Sequence, residues 1–308
     1  MASKLLLMLL DEAKCVETIR SMRWPEGVCC PRCNSKRFWI DWEEYPKLQY
    51  RCRECKHWWT DLSETIFEGT RLPLSHWLVA LDLFRQGKSA LAVAQELGVN
   101  RHTADRMHRL LQDELWINRP GEKLSGINES DEVYIICGAK GIKQKDRDPR
   151  KRGLKKRGRG TAQTDKPPVI GVVERDSGEI RLEVCPNANK ETCHEVIEKH
   201  VEPGSTLNTD DWGGYNGLEE KGIKHKTVCH SQGEYARDDD GDGANEVHEN
   251  TMEAIWSLLR QWLRSYRGVR KMYLYLYVNS FEFFHNMKRR VSDVLYSLLQ
   301  TLLAPHGI

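Results

Sequence analysis

Two pairs of cysteines, Cys30-Pro-Arg-Cys33 and Cys52-Arg-Glu-Cys55, stand eighteen residues apart and constrain this chain more than any other feature in it. In a CxxC turn both thiolates reach one ion at about 2.3 Å, and two such turns complete a tetrahedron. The pattern therefore predicts a closed, structural zinc site. Between the pairs, Phe38, Trp39, Ile40 and Trp42 read as strand, which makes the layout that of a zinc ribbon. Cys29 lacks the spacing, and His57 is expected at the surface. The other cysteines are scattered, which favours a metal in a reducing compartment over a disulfide framework. The opening MASKLLLMLLDEAKC has an apolar run of six residues followed by acids, too short for a signal-peptide core or a membrane span. A cytoplasmic protein that does not associate with a membrane is expected.

From Ser75 to Leu115 the chain reads as helices with one tight break at Gly98-Val99-Asn100. In LAVAQELGVNRHTADRMHRLL, Ala94 and Gly98 permit close packing, Val99 fills the core and Asn100 caps the next helix, a helix-turn-helix pattern. Arg101, His102, Asp105, Arg106 and Arg109 fall on one stripe of the second helix, with Ala104, Met107 and Leu111 opposite. Such a basic stripe suits a reader of the DNA major groove. A helical hairpin with a solvated charged face fits the same residues.

Asn118-Arg119-Pro120-Gly121 closes the helical region, and from Ser125 short apolar runs take over. VYII, PPVIGVVER and EIRLEVC read as three strands, ETCHEVIEKH as a helix, and STLNT as a further strand before later helices, an α/β order. The net charge of +2 is unevenly spread, since Lys140 to Arg159 holds eleven Lys or Arg against two Asp. That run, containing Lys155, Lys156 and Arg157, is expected to be a loop that contacts nucleic acid, with a localisation signal as the other reading. Asp238 to Glu249 matches a calcium-loop spacing but lacks an entering helix, so it reads as a solvated acidic loop. Cys137, Cys185, Cys193 and Cys229 read as core thiols, and Val291 to Leu303 as an amphipathic helix packing on the preceding domain or on another subunit.

Three acids carry the chemistry. Asp131 and Asp210 lie at strand-like runs, and Glu253 lies on a helix, His248 to Arg264, whose Ile255, Trp256, Leu259 and Leu263 bury the other face. Arg260 is two turns on from Glu253, placed to meet a phosphate. Three carboxylates on two strands and a late helix match a two-metal phosphoryl-transfer site, and hard cations such as magnesium require oxygen ligands.

The stretches DEVY at Asp131, TDDWGGY at Asp210 and NTMEAIWSLLR from Asn250 to Arg260 resemble the signature of DDE transposases, in the insertion-sequence group of bacteria and archaea related to Merlin elements, with an ISXO2-like DDE domain. RWPEGVCCPRC, VIGVVER and YLYLYVNSFEFFHNMKRR extend the resemblance over nearly the whole chain. It implies a multidomain build: an N-terminal helix and zinc ribbon over 1–62, an all-α helix-turn-helix over 63–122, an α/β RNase H-like catalytic domain over 123–290 and a C-terminal helix over 291–308. It also implies a DNA transposase that cuts and joins strands with two catalytic magnesium or manganese ions, with double-stranded DNA and further copies of the chain as partners. Arg260 stands where the family usually has lysine, and Glu249 where it has a small or apolar residue. Some relatives use asparagine as the third catalytic residue, so Asn250 competes with Glu253. A catalytically dead DNA-binding regulator would share the ribbon and the helices.

Overall fold

The computed structural model describes residues 11–42, 46–140, 158–229, 236–238 and 247–303. The chain divides into two compact units, Met1–Asn118 with Val291–Ile308, and Arg119–Arg290.

The first unit starts with α1 (Glu12–Arg23), capped by Asp11 accepting from Lys14 N at 3.0 Å. A three-stranded antiparallel ribbon follows, β1 (Phe38–Asp41), β2 (Gln49–Cys52) and β3 (Trp58–Thr60), in the order β1-β2-β3. So small a sheet buries little, and aromatic pairs fill its inner face. Tyr50 and Trp59 stack at 5.3 Å, with Phe38 edge-on to both. Asp61 is wholly buried and accepts from Arg20 Nε and Nη2 (2.8 Å each), Leu48 N (2.7 Å) and Tyr50 Oη (2.8 Å). The hydrogen bond to Asp61 raises the pKa of the Arg20 guanidinium above its ordinary value. A buried carboxylate is tolerated only when its oxygens are filled, so Asp61 locks α1 to the ribbon.

Helices α2 (Leu74–Arg85), α3 (Ala90–Leu97) and α4 (Arg101–Ile117) come next. Pro73, the cap residue of α2, offers no side-chain acceptor, and Glu12 supplies one to Leu74 N (2.9 Å) and Ser75 N (3.2 Å). Gly98, at φ 65°, ends α3 in the left-handed region, and Asn100 caps α4 by accepting from His102 N at 2.8 Å. Ala104, Met107 and Leu111 are buried. So is His108, stacked 4.4 Å from Phe84 and held neutral because burial drives its pKa down to about 3. The last helix of the chain, α8 (Val294–Leu303), returns to this unit and packs on α1 and α4. This corrects the expectation that it would cover the preceding domain or another subunit: its leucines complete the first unit's core.

The second unit is a five-stranded sheet of β4 (Ile127–Tyr134), β5 (Pro168–Glu174), β6 (Ile180–Val184), β7 (Thr206–Asp210) and β8 (Lys224–Val228), ordered β6-β5-β4-β7-β8. The first three strands form an antiparallel meander, and β7 and β8 run parallel to β4, the RNase H-like arrangement. Helix α5 (Lys190–His200) connects β6 to β7 and covers one face with Cys193, Val196 and Ile197. Helices α6 (Asn250–Ser265) and α7 (Leu274–Arg290) cover the other with Met252, Trp256, Leu259 and Val278. Short strands β9 (Ala236–Arg237) and β10 (Val247–His248) pair antiparallel before α6.

Burial on both faces explains the continuous apolar run of β5, where Val169 and Val173 meet α6 and Ile170 and Val172 meet α5. Gly171 between them is required by close approach: a Cβ there would lie 2.5 Å from Met252 Cε and from Trp256 Cη2. Helix α7 closes the open edge of β6, whose Leu182 N donates to Glu282 (2.6 Å) and whose Ile180 N donates to Asn286 (2.9 Å). The strand expected at VYII is displaced. It is INESDEVY, and Ile135 and Ile136 lie beyond it. Asn128, Glu129 and Ser130 are buried polar residues inside the strand, so no apolar run marks its first half. Cys229 departs from its expected core place and donates its thiol to Asp211 Oδ2 at 2.9 Å.

Candidate active site

Asp131 lies within β4 and Asp210 is the last residue of β7. The two strands pair in parallel through Glu129↔Asn208, and carrying that register on by two residues sets Asp131 beside Asp210. Glu253 stands exposed in the first turn of α6. Three residues on, the buried Trp256 donates its indole N–H to Asp131 Oδ2 at 2.8 Å. That bond fixes the rotational phase of α6, and Glu253, three residues earlier, is near enough for its charge to raise the Asp131 carboxyl.

The electrostatics follow. Burial pushes the Asp131 carboxyl up to about 6, and the charges of Asp210 and Glu253 add to it against the Glu132 backbone and Trp256 bonds. The neighbouring Glu132 is raised to about 7, by burial and then by Asp131 and Asp210, with Arg159 opposing at 3.7 Å. Both carboxyls are raised, so holding them ionised costs stability that grows as pH rises from the ordinary carboxylate range through these values. A dication among the acids would offset that cost, and their oxygen donors would suit magnesium or manganese. Among the described residues the four cysteines are the one group of three or more whose ligand atoms all lie within 4.8 Å of one another, so the three acids are more widely spread than that. Two ions about 3.5–4 Å apart span a wider donor set than one tetrahedral ion does.

What holds α6 in place is Glu129, two residues before Asp131 on the same side of β4 and fully buried. Its carboxylate accepts from Met252 N (3.0 Å), Thr251 Oγ1 (2.8 Å) and Arg175 Nε (2.7 Å). From its place at the start of the helix after an acidic loop, Asn250 reads in the sequence as the cap of α6, and the structure corrects this. Asn250 is the exposed first residue of α6, Glu249 holds the cap position but its side chain does not cap the helix, and Glu129 takes the free amide. Glu129→Ala is expected to destabilise the second unit by about 3–5 kcal/mol, because it leaves the Arg175 charge buried with a main partner gone. Thermal unfolding checks this, and an unchanged midpoint would show the carboxylate to be idle.

The remaining candidates are dispersed. Arg260 is exposed two turns beyond Glu253. Arg101, His102, Asp105 and Arg106 are exposed on α4 or nearly so and Arg109 is half-buried; Arg101 pairs with Asp105 at 3.4 Å. His102 and Arg106 line a cleft of about 590 Å³ together with Arg71 and Trp77. Lys155, Lys156 and Arg157 lie outside the described residues, as does most of the calcium-like spacing. Of the basic run, Arg159 is described, and its guanidinium sits 3.9 Å over the Trp212 ring. His225 is a sheet residue bonded to Thr209 Oγ1 at 2.9 Å, its pKa lowered by burial. Glu129, Glu132 and Trp212 are site residues that the sequence did not single out; an acid two residues from another in a strand was the one local sign of Glu129.

In the ribbon, Cys30 Sγ lies 3.5 Å from Cys55 Sγ and Cys33 Sγ lies 3.5 Å from Cys52 Sγ. Thiolates 2.3 Å from a tetrahedral ion are about 3.8 Å apart, so the four sulfurs fit one zinc.

A five-stranded sheet with acids gathered at neighbouring strands and one helix, together with a four-thiol ribbon, defines a class, the DDE transposases. The family model described as an ISXO2-like transposase domain matches residues 123–286, and a transposase zinc-ribbon model matches 10–58. The chain belongs to the ISXO2-like transposase family. It is 30% identical over 299 residues, 96% of this chain and 98% of the other, to an uncharacterized protein in transposable element ISH50 of Halobacterium salinarum. Among solved structures, the HTLV-2 integrase catalytic core domain in complex with magnesium is similar at 12% identity and a TM-score of 0.28, over 52% of this chain and 87% of that one. The Mos1 strand transfer complex is similar at 11% identity and 0.23, over 70% and 78%. Among the described residues no helix is long and apolar enough to cross a membrane.

Proposed function

We propose that this chain cuts DNA at the ends of its own insertion sequence and joins the freed 3′ ends to a target, using Asp131, Asp210 and Glu253. The observation that carries the reading is the Trp256–Asp131 bond, made three residues beyond Glu253 and joining α6 to a strand in register with that of Asp210. Two magnesium or manganese ions held by the three acids would supply activation of the attacking oxygen and stabilisation of the leaving one. Water attacks phosphorus first, the P–O3′ bond breaks, and a 3′-hydroxyl leaves. That hydroxyl then attacks a target phosphodiester in the same way, displacing another 3′-oxygen. Arg260 meets the phosphate, Trp256 orients Asp131, and Glu129 keeps α6 seated. The exposed face of α4, with Arg101, His102, Asp105, Arg106 and Arg109, binds duplex DNA in the major groove, and copies of the chain assemble on the element ends. One zinc holds the ribbon.

The decisive experiment offers the protein DNA carrying the repeats that flank its gene, with magnesium or manganese, and follows cleavage and strand transfer. Binding without cutting in either metal would leave a DNA-binding regulator as the function. Replacing Lys155, Lys156 and Arg157 with alanine is expected to flatten the plot of log affinity against log salt by about 0.9 for each phosphate no longer engaged, on all sequences alike. An unchanged slope would remove those residues from the interface.

A further inference from the structure

The outer face of the ribbon carries side chains that its own fold does not use. Strand register sets Trp39 opposite Arg51 and Arg51 opposite Trp58, one row across three strands. The inner row beside it, Tyr50 opposite Trp59, is buried. Trp39, Trp42 and Trp58 are 46%, 60% and 49% exposed. Three neighbouring indoles left in water forgo the largest apolar burial any side chain offers, and an exposed cluster of this kind marks a binding surface.

Cations are interleaved with the rings. The Arg51 guanidinium lies 5.9 Å from the Trp39 centroid and 5.2 Å from that of Trp58. Arg53 and Lys56 lie 5.1 and 5.2 Å from Trp39. One acid, Asp41, joins Trp39, Trp42, Arg51 and Trp58 around a recess of about 320 Å³. Ring faces with positive charge between them match both halves of a nucleotide, the base by stacking and the phosphate by ion pairing. A duplex hides its base faces in its own stack, whereas an unpaired strand presents them. Trp39 and Trp58 sit two strands apart, about 10 Å, so two bases of one strand can each find a ring.

We infer that the outer face of the ribbon binds single-stranded DNA, through Trp39 and Trp58 with Arg51, Arg53 and Lys56 on the phosphates. The inference rests on the DNA-handling reading above, since opening and cutting an element end releases unpaired strand. An acidic protein segment would be drawn to the cations but has no use for the ring faces.

The test is binding of a labelled oligothymidine and of a labelled duplex to the full chain, followed by fluorescence anisotropy. Trp39→Ala and Trp58→Ala are each expected to weaken oligothymidine binding roughly 5- to 150-fold. Trp39→Phe should keep most of the affinity, and duplex binding and zinc content should not change. If an alanine variant loses zinc, Arg51→Gln and Trp39→Phe, which keep the sheet residues large, carry the comparison. Equal affinity in the Trp39, Trp58 double variant overturns the inference, as does equal weakening for duplex and oligothymidine. Self-association abolished in Trp39→Ala with oligothymidine binding intact also overturns it and assigns the face to a second copy. A chain that binds oligothymidine through Trp39 but cuts no element end sinks only the catalytic reading; one that cuts and is indifferent to the tryptophans sinks only this one.

Discussion

Glu253→Gln is expected to abolish strand cleavage while leaving duplex binding, zinc content and thermal stability unchanged. Glu253 is exposed, so its amide costs little in the fold, and substitutions at such positions are usually within about 0.5 kcal/mol. The chemistry is a different matter. Metal stabilisation of the transition state is worth several kcal/mol, and each 1.36 kcal/mol is a factor of ten, so losing a ligand carboxylate should slow cutting by roughly 10³-fold or more. Asp131→Asn and Asp210→Asn should share the loss of cleavage with duplex binding and zinc content retained. Asn250→Asp should keep some activity, and Asp211→Asn, whose exposed carboxylate receives the Cys229 thiol instead, should be much milder. Full cleavage by Glu253→Gln would promote Asn250 to the third position. Asp131→Asn carries a second signature. The carboxyl is raised from 3.8 to about 6, so the fold disfavours its charge at pH 7. The metal-free variant should therefore melt higher than the parent at pH 7. That difference should shrink as pH falls through 6 and vanish below 3.8, where the carboxyl is protonated in the folded and the unfolded parent alike.

Cys33→Ser should remove one zinc per chain and unfold the ribbon up to about Asp61. Structural zinc in such small units contributes about 10–16 kcal/mol, comparable to or above the whole stability of an ordinary domain. The ribbon's own core, centred on Tyr50, Trp59 and Phe38, is too small to stand without it. The damage should extend to α1, because Arg20 is tied to Asp61, and to the start of α2, because Glu12 caps it from α1. The second unit has its own two-sided core and should melt as before. Elemental analysis and two-transition calorimetry read the outcome. A zinc content untouched by the substitution would overturn the ribbon assignment.

The legible parts of this protein are those written in short-range spacing. A CxxC turn places two sulfurs by local geometry alone, and Cys30, Cys33, Cys52 and Cys55 do converge. The stripe of Ile255, Trp256, Leu259 and Leu263 follows from the helical period, and they are buried. Asn100 caps α4 through a contact two residues away. Each of these depends on neighbours within a turn or two, close enough along the chain to be recognised from their order.

Tertiary structure decided the rest, because the partner in each case is far along the chain. Glu129 meets Met252, Asp61 meets Arg20 and Glu12 meets Leu74, pairings of 123, 41 and 62 residues' separation. Each is a buried or half-buried carboxylate whose sequence surroundings look like those of any solvated acid. The apolar pattern even misled at β4, where Asn128, Glu129 and Ser130 are buried, Asn128 donating its amide to Ser125 O and Glu129 accepting from Met252 N. The cysteine spacing and helical periods by themselves determined the ribbon and the amphipathic helix of Glu253. Strand register, the indole of Trp256 and the space left by Gly171 decided where this helix lies, against β4 and β5 with Trp256 bonded to Asp131, since a side chain's direction across a sheet is set by packing from both sides.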